Sequence, residues 1–209
     1  FAPINLVATS PQALLATPSF SVGTFKELLA MPRAQTEKLA MGSSGLASGP
    51  HMLYEWLRIK TGLTLNHVPY KGGGPSISDA VAGQIPLVIN AVPAAMPFLK
   101  SGRLKPLAIT SPERHPLLPG VPTFVESGVR DFVSFQWYGV FAPAGTPRET
   151  VALLNREINK ARNSPDIRER FVAVTFDPTP GKPEDFLKLL QDEDARWRGV
   201  QKQVNVRLD

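Results

Sequence analysis

Residues 38–75 read KLAMGSSGLASGPHMLYEWLRIKTGLTLNHVPYKGGGP, and the order of patterns in this stretch indicates the architecture of the chain. Lys38–Met41 is a short strand that leads into a loop rich in glycine and serine, MGSSGLASG, at 41–49. A helix with apolar residues at regular spacing follows and ends at Gly62, and Leu63–Val68 has the pattern of a second strand. The order strand, loop, helix, strand predicts a parallel βαβ crossover.

Two further loops follow predicted strands in the same way: YKGGGP at 70–75 and NAVP at 90–93. Each of these loops opens a predicted helix, and neither they nor the loop at 41–49 contain a carboxylate. The carboxyl ends of parallel strands lie at one edge of a sheet, so the three helix N-termini are expected to converge. Because a helix N-terminus carries partial positive charge and unpaired N–H groups, this edge is predicted to bind a small anion.

The rest of the chain also alternates between strands and helices. Upstream, two short strands separated at Ser10–Pro11 (Ile4–Thr9 and Ala13–Ala16) precede a helix that starts with a Thr24/Glu27 capping box and ends near Pro32. Downstream we predict a helix at 75–82, a strand at 85–89, a helix at 93–100, a strand at 104–110, a short helix at 123–127, a strand at 135–141, a helix opened by a capping box at 146–149, a helix from Ser164, a strand at 172–176 and a helix from Pro183 to about Val204. Residues from about 10 to 110 are therefore expected to form one α/β lobe with a mostly parallel sheet.

The C-terminal third has three predicted amphipathic helices but only one or two strands. Apolar stripes are formed by Val151, Leu154 and Ile158 on one helix and by Phe186, Leu190 and Trp197 on another. One or two strands are too little sheet to cover these faces. We therefore expect that a partner, or an N-terminal portion outside this chain, completes the lobe to which these helices belong.

Composition limits the classes of function. The 209 residues are 43% hydrophobic and 20% charged, which places the chain among globular proteins. The net charge is +5, but basic and acidic residues alternate, so solvated helix faces are expected rather than a nucleic-acid surface. The absence of cysteine excludes disulfides and thiol catalysis. No apolar run reaches about 18 residues, and Phe1 follows no initiator Met or signal-like segment, so a mature or trimmed product without membrane insertion is expected.

Catalytic patterns are not found in the three loops. The histidines lack the spacing of metal ligands, so no metal is expected, and the loops hold no pair of carboxylates for acid–base chemistry. GSSG at 42–45 does not match the nucleophile elbow, and YKGGGP is not a phosphate-binding P-loop. Ordinary explanations stay open: GSSG suits a capped turn, Lys71 an exposed position, and Trp137 either core packing or a cleft wall.

Several of these motifs, in this order, resemble one known family. They are GSSG at 42–45 with Ser48 and His51, HVPYKG at 67–72, LAITS at 107–111, LPGVPT at 118–123 and FAPAGTP at 141–147. The chain is similar over essentially its whole length to the Bug, or TctC-type, extracytoplasmic solute receptors of tripartite tricarboxylate transporters. Each motif alone is weak, and their combination is specific.

The resemblance implies an α/β, type II periplasmic-binding-protein-like fold: two lobes with mostly parallel sheets joined by hinge strands near Leu6–Pro11 and Phe135–Pro143, the first lobe being incomplete. Residues 10–133 would form the complete ligand-binding lobe, and 1–9 with 134–209 the hinge strands and the remaining part of the first lobe. The implied function is capture of a small organic mono-, di- or tricarboxylate in the periplasm by lobe closure, and its delivery to membrane transporter subunits. No catalysis, cofactor, metal or nucleic-acid partner is implied.

Carried over position by position, the resemblance implies ten ligand-binding residues: Ser43, Ser44, Gly45, Ser48, His51, Tyr70, Lys71, Gly72, Asn90 and Trp137. The serines and Gly45 would hold a ligand carboxylate, and Tyr70–Gly72 would form the facing loop. Asn90 stands where an acidic residue is frequent in the family, which favours a plain carboxylate over an amino acid.

Two other classes of function remain as alternatives. The effector-binding domain of a transcriptional regulator shares the two-lobe plan, but it would be accompanied by a DNA-binding helical segment, and this sequence has none. An enzyme acting on carboxylates is disfavoured because an acid–base pair is missing, and turnover of a bound acid would support it.

Overall fold

The computed structural model describes residues 1–179, 181–204 and 206, and within it the chain divides into two compact units. Of the described residues, Phe1–Ser10 and Gln136–Gly199 form unit 1, and Pro11–Phe135 with those from Val200 onward form unit 2. The first strand, β1 (Ala2–Ala16), contributes its beginning to unit 1 and its end to unit 2.

The sheet of unit 2 contains five strands. Besides the end of β1, these are β2 (Ala40–Ser43), β3 (Asn66–Pro69), β4 (Leu87–Ala91) and β5 (Lys105–Ile109), in the order β3-β2-β4-β1-β5. Strand β2 pairs in parallel with β3 and β4, whereas β1 lies antiparallel between β4 and β5. Four of the five strands therefore run in one direction, and the mostly parallel sheet predicted from the sequence is confirmed.

Five helices of unit 2 connect these strands: α1 (Phe25–Ala30), α2 (Arg33–Thr36), α3 (Gly49–Thr61), α4 (Gly73–Val81) and α5 (Val92–Lys100). Local signals set several of their ends. The Thr24/Glu27 capping box forms at the start of α1, and Gly62 ends α3 with a φ of +73°, a conformation that glycine adopts without strain. Apolar residues of β1, β4 and α5 form the core of the unit, including Leu15, Val88 and Met96.

Unit 1 is built from the beginning of β1, two further strands and three helices. The strands are β6 (Phe135–Ala142) and β7 (Asp177–Pro178), both of which pair with β1, and the helices are α6 (Arg148–Arg162), α7 (Pro165–Ala173) and α8 (Pro183–Gln201). The fully buried Phe186 of α8 packs against Trp137 and Phe141 of β6. The predicted helix from Pro183 is confirmed, although it ends at Gln201 rather than near Val204.

Much of the apolar surface of unit 1 is uncovered. The spacing of Val151, Leu154 and Ile158 predicts that all three face a core, but Leu154 is 40% exposed and does not do so within the described residues, while Val151 and Ile158 are partly buried. Val172 of α7 and Leu187 of α8 are also exposed. The physical reason is that the described strands of unit 1 do not provide enough sheet to cover these helices.

The predicted break in the first strand at Ser10–Pro11 is wrong, because β1 runs through both residues. Ala8 and Thr9 pair with β7, whereas Gln12 to Ala16 pair with β4. Pro11 falls between these two registers, where its missing N–H is not needed. The proline therefore marks a change of partner strand rather than the end of the strand.

Three other predicted elements form differently. Residues 123–127 make a turn instead of a helix, and Thr123 pairs with Ile109 in an isolated bridge. The predicted strand at 172–176 is the end of α7 followed by a turn, with Thr175 at a φ of +65°. The second capping box does not form, because the Thr146 hydroxyl donates to the Pro143 carbonyl and Pro147 takes the N-cap position without a side-chain bond.

No helix within the described part of the chain is both long and apolar enough to cross a membrane.

Candidate anion-binding site

Three helices of unit 2 begin at the same edge of its sheet. Strands β3, β2 and β4 are adjacent and parallel, and they lead into α4, α3 and α5 respectively. The segment from β2 to α3 is called the serine loop (Ser44–Ser48), and the segment from β3 to α4 the glycine loop (Tyr70–Gly72). The third helix, α5, follows β4 directly, with Ala91 as its N-cap.

Backbone hydrogen bonds join the serine loop and the glycine loop. The Tyr70 N–H donates to the Ser43 carbonyl at 3.1 Å, and the Gly72 N–H donates to the Ser44 carbonyl at 3.0 Å. Gly45 has a φ of +141°, and a Cβ at this position would lie 3.1 Å from the Tyr70 carbonyl oxygen. Glycine is therefore needed here for both conformation and space. The two loops lie side by side, in agreement with the convergence inferred from the strand order.

Asn90 connects the third helix start to the second. It is buried on β4, and its Nδ2 donates to the Gly73 carbonyl at 3.2 Å and to the Ser76 hydroxyl at 3.3 Å. Its Oδ1 accepts from the Ala91 N–H at 2.9 Å. The Asn90 carboxamide is thus bonded to the backbone at the starts of both α4 and α5. Strand β4 extends through Ala91, so Asn90 lies in the strand rather than in a loop.

Charge at this edge differs from that at most other helix starts of the chain. No acidic residue occurs in the first turn of α3, α4 or α5. By contrast, acidic residues occupy the first turns of α1, α6, α7 and α8, namely Glu27, Glu149, Asp166, Glu184 and Asp185. A carboxylate in the first turn neutralises the positive end of a helix. The three converging helices therefore keep their positive ends available to an external anion.

The side chains on the two loops are neutral or basic. The Ser44 hydroxyl makes no hydrogen bond within the described part of the chain, and Lys71 is exposed. Ser48 caps α3, since its Oγ accepts from the His51 N–H and donates to the Gly45 carbonyl at 2.7 Å. The Tyr70 hydroxyl donates to Asp79 at 2.7 Å, and burial together with this carboxylate raises the pKa of Tyr70 to about 12. Tyr70 therefore stays neutral at physiological pH.

Two stacked histidines lie next to the serine loop, and the sequence did not predict this. The His51 and His67 rings are parallel to within 3°, with centroids 3.9 Å apart. The Nδ1 of His51 accepts from the Ala47 N–H at 2.9 Å, and the Nε2 of His67 lies 2.7 Å from the Ser43 Oγ. Only the Ser48 cap, three residues before His51, hinted that this ring would turn back toward the loop.

Ser43 is fully buried at the end of β2, and its hydroxyl already contacts His67 and the backbone of Gly45. The sequence placed this residue in the loop; the structure places it in the strand. Nine of the ten predicted ligand-binding residues belong to unit 2. Trp137 belongs to unit 1, where its ring packs on Phe186. The contact of each of these residues with a ligand stays a prediction.

Burial keeps the His67 ring neutral. Burial, assisted by the neighbouring His51, lowers the pKa of His67 from 6.5 to about 4. Glu55 of α3 accepts both Nε (2.9 Å) and Nη2 (2.6 Å) of Arg58 and lies 3.7 Å from the His51 Nε2. Burial acts to raise the pKa of Glu55, but His51 and Arg58 outweigh it and leave this pKa below its usual value. The stack therefore lies beside a carboxylate that is already paired.

The lowered pKa of His67 predicts a loss of stability in mild acid. Between about pH 6.5 and pH 4 the unfolded chain binds a proton at this histidine and the folded chain does not, so the stabilisation present above pH 6.5 is lost toward pH 4. Because the ring is partly exposed, we expect the free energy of unfolding to fall by about 2 kcal/mol between pH 6.5 and pH 4. Urea unfolding at a series of pH values measures this, and His67→Gln should flatten the dependence. An unchanged pH dependence in His67→Gln, matching that of the control His115→Gln, would contradict it.

Within the described residues, no group of three or more histidine, aspartate and glutamate side chains is arranged to hold a metal ion.

The fold of the chain matches those of solved periplasmic proteins. One structure, of a periplasmic transporter, is 32% identical with a TM-score of 0.94, covering 100% of this chain and 70% of that one. A protein from R. palustris with adipate is 34% identical with a TM-score of 0.90, covering 97% and 68%. MatC from Rhodopseudomonas palustris with bound malate is 30% identical with a TM-score of 0.90, covering 96% and 69%. The fold is therefore that of the periplasmic binding proteins.

The sequence is also similar to curated proteins. Protein BugT of Bordetella pertussis is 34% identical over 206 residues, which are 99% of this chain and 63% of that protein. The family model for the tripartite tricarboxylate transporter family receptor, TctC, matches residues 1–206. The chain belongs to this family of receptors, and the resemblance found in the sequence motifs is confirmed. Most of the curated relatives that the chain matches are longer proteins, of whose length it spans 50–63%.

Proposed function

We propose that this protein is a periplasmic receptor that binds a small organic carboxylate for a tripartite tricarboxylate-type transporter. The observation that carries the proposal is the convergence of three helix N-termini without any acidic residue in their first turns. Family membership and the adipate and malate bound to two similar proteins support the ligand class. Delivery to membrane subunits, and closure of two lobes around the ligand, are inferred from the family and stay predictions.

Each loop has a distinct part in the proposed binding. The Ser44 hydroxyl would donate to a carboxylate from one side and the exposed Lys71 ammonium from the other, while the bond from the Gly72 N–H to the Ser44 carbonyl holds the two loops together. Neutral donors on rigid helix starts bind an anion without the cost of burying a charged side chain. Asn90 would act through its clamp on Gly73 rather than by direct contact. Residues 10–133 would form the ligand-binding lobe, with the hinge near Leu6–Pro11 and Phe135–Pro143.

Binding is tested by titrating the ¹⁵N-labelled chain with adipate or malate and following amide shifts by NMR. We expect changes concentrated at Ser44–Ser48 and Lys71–Gly73, because these two segments would surround the proposed anion. NMR also detects weak binding, which suits a chain that spans only part of its relatives' length. Absence of shifts at both loops with adipate and with malate, and with tricarboxylates such as citrate, would contradict the proposed function.

A site without carboxylates predicts a preference for plain acids over amino acids. Asn90 carries no charge, and no carboxylate occurs in the first turns of the three helices to hold an ammonium group. We expect 2-aminoadipate to bind about 10-fold more weakly than adipate, and aspartate more weakly than succinate, because the ammonium would be left without a partner. The paired acids differ only by that group, so the comparison is internally matched. Equal or tighter binding of the amino acids would contradict the prediction.

A further inference from the structure

Two histidines on different elements are hydrogen-bonded to the serine loop and to the residue just before it. His51 lies in the first turn of α3 and is only 4% exposed, and His67 lies on β3. Each ring uses one nitrogen toward the loop segment: His51 Nδ1 accepts from the Ala47 N–H, and His67 Nε2 contacts the Ser43 hydroxyl. These contacts reach both ends of the turn that carries Ser44 and Gly45.

From this arrangement we infer that His51 and His67 are positioning residues for the anion: they fix the shape of the serine loop so that its donors face the ligand. The inference rests on the proposed function and deepens it. It also assigns His51 a different role from direct ligand contact, because its Nδ1 is bonded to the protein backbone.

The hydrogen bond to Ala47 distinguishes the two nitrogens of the His51 ring. An N–H that donates to Nδ1 requires a lone pair there, so Nδ1 is used as the acceptor for the loop while Nε2 lies 3.7 Å from Glu55 Oε1. Ala47 has a φ of +53°, a conformation that a residue with a Cβ seldom adopts. The hydrogen bond to His51 helps to hold Ala47 in this left-handed conformation. The turn around Ala47 in turn sets the direction of the preceding N–H groups.

The second contact acts through the Ser43 hydroxyl. The Ser43 Oγ lies 2.7 Å from His67 Nε2, 3.2 Å from the Gly45 nitrogen and 3.1 Å from the Gly45 carbonyl oxygen. If the hydroxyl donates to His67, it can accept from the Gly45 N–H; if His67 donates, the hydroxyl can donate to the Gly45 carbonyl. Both arrangements connect the ring to Gly45, whose φ of +141° the loop requires.

Neighbouring side chains connect the two elements that carry the rings. The Tyr54 hydroxyl donates to the Leu65 carbonyl at 2.9 Å and accepts from the Leu65 N–H at 2.8 Å, which ties α3 to the residue just before β3. Glu55, paired with Arg58, lies beside His51. Rings supported in this way on a helix and a strand can hold a loop more accurately than loop residues can.

The geometry allows a crossed substitution test, because asparagine and glutamine each imitate one nitrogen of histidine. The carboxamide of Asn falls near the position of Nδ1, and that of Gln near Nε2. His51→Asn and His67→Gln should therefore keep the loop contacts and bind adipate within about threefold of the wild type. His51→Gln and His67→Asn should lose them and bind about 10-fold more weakly. His115→Gln, on a loop outside the site, is the matched control and should leave the affinity unchanged.

Amide NMR of the full chain reports the affinity and the shape of the loop together. The expected result is crossed rescue of adipate affinity, with the Ala47 amide signal kept in His51→Asn and shifted in His51→Gln. Equal affinities in all four variants would overturn the inference and leave the proposed function standing. Equal losses for Asn and Gln at both positions would also overturn it, since a general packing role does not depend on which nitrogen is imitated. Failure of wild-type protein to bind adipate, malate or citrate would instead remove the proposed function and this inference with it.

Discussion

Replacing Ser44 by aspartate is expected to weaken adipate and malate binding by about 100-fold or more while leaving the protein at least as stable. Binding falls and stability does not, because the new carboxylate would interact with the same positive helix ends that are proposed to bind the ligand. A like charge about 4 Å away costs about 4 kcal/mol at an effective dielectric constant of about 20, which exceeds the 2.7 kcal/mol that corresponds to about 100-fold.

The stability effect of Ser44→Asp follows from the same helix ends. Ser44 is partly exposed at the start of the serine loop, and no acidic residue occurs in the first turn of α3 or α4. A carboxylate near helix N-termini stabilises the fold by about 0.5 kcal/mol. We therefore expect the free energy of unfolding in urea to rise slightly or stay the same. Loss of binding in this variant would not be a sign of unfolding.

Two controls separate charge from shape. Ser44→Asn has nearly the same size as the aspartate variant without its charge, and it should keep most of the affinity. Ser19→Asp adds the same charge at an exposed position outside both loops and should change nothing. Calorimetric or NMR titration with adipate gives the affinities. The anion site would be placed wrongly if Ser44→Asp bound adipate as well as Ser44→Asn does.

Local signals in the sequence were sufficient for the starts of α1 and α3 and for the convergence of the loops. The cap at Ser48 and the left-handed Gly62 fix the ends of α3 through contacts within a few residues, so a single sequence reveals them. The same kind of pattern was misleading at Thr146, where the following Pro147 became the N-cap and the threonine bonded to Pro143 instead. A capping pattern therefore indicates a helix start without fixing which residue caps it.

Contacts between distant segments could not be predicted in this way. The end of β2 at Ser43 depends on its pairing with β3, and the place of Asn90 within β4 depends on its pairing with Ala13 of β1. The stack of His51 on His67 needs both the register of β3 and the rotation of α3, which periodicity alone does not give. The sequence therefore predicted the backbone of the site, whereas the stacked histidines that contact this backbone could be identified only from the structure.

Replacing Gly139 by alanine is expected to destabilise unit 1 by about 2–3 kcal/mol. A Cβ at this position of β6 would lie 2.1 Å from Cζ and 2.6 Å from Cε1 of Phe186. The Phe186 ring is completely buried, with Trp137 at 5.6 Å and Phe141 at 4.9 Å between ring centroids. Because a rigid ring held on two sides cannot turn away, the strand or α8 has to move.

Urea unfolding followed by tryptophan fluorescence measures this cost. Gly199→Ala is the matched control, since it adds a Cβ to α8 with no neighbour within 4 Å and should stabilise the helix by about 0.5–1 kcal/mol. The smaller ring-free side chain of Phe186→Leu should recover part of the loss in the double variant, giving a coupling of about 1 kcal/mol or more between the two sites. Additive effects of the two substitutions would show that the Phe186 ring does not limit the side chain at position 139. Strong coupling would mean that contact between this ring and β6 holds α8 on the strand, so that unit 1 is stabilised by an aromatic core although much of its apolar surface is exposed.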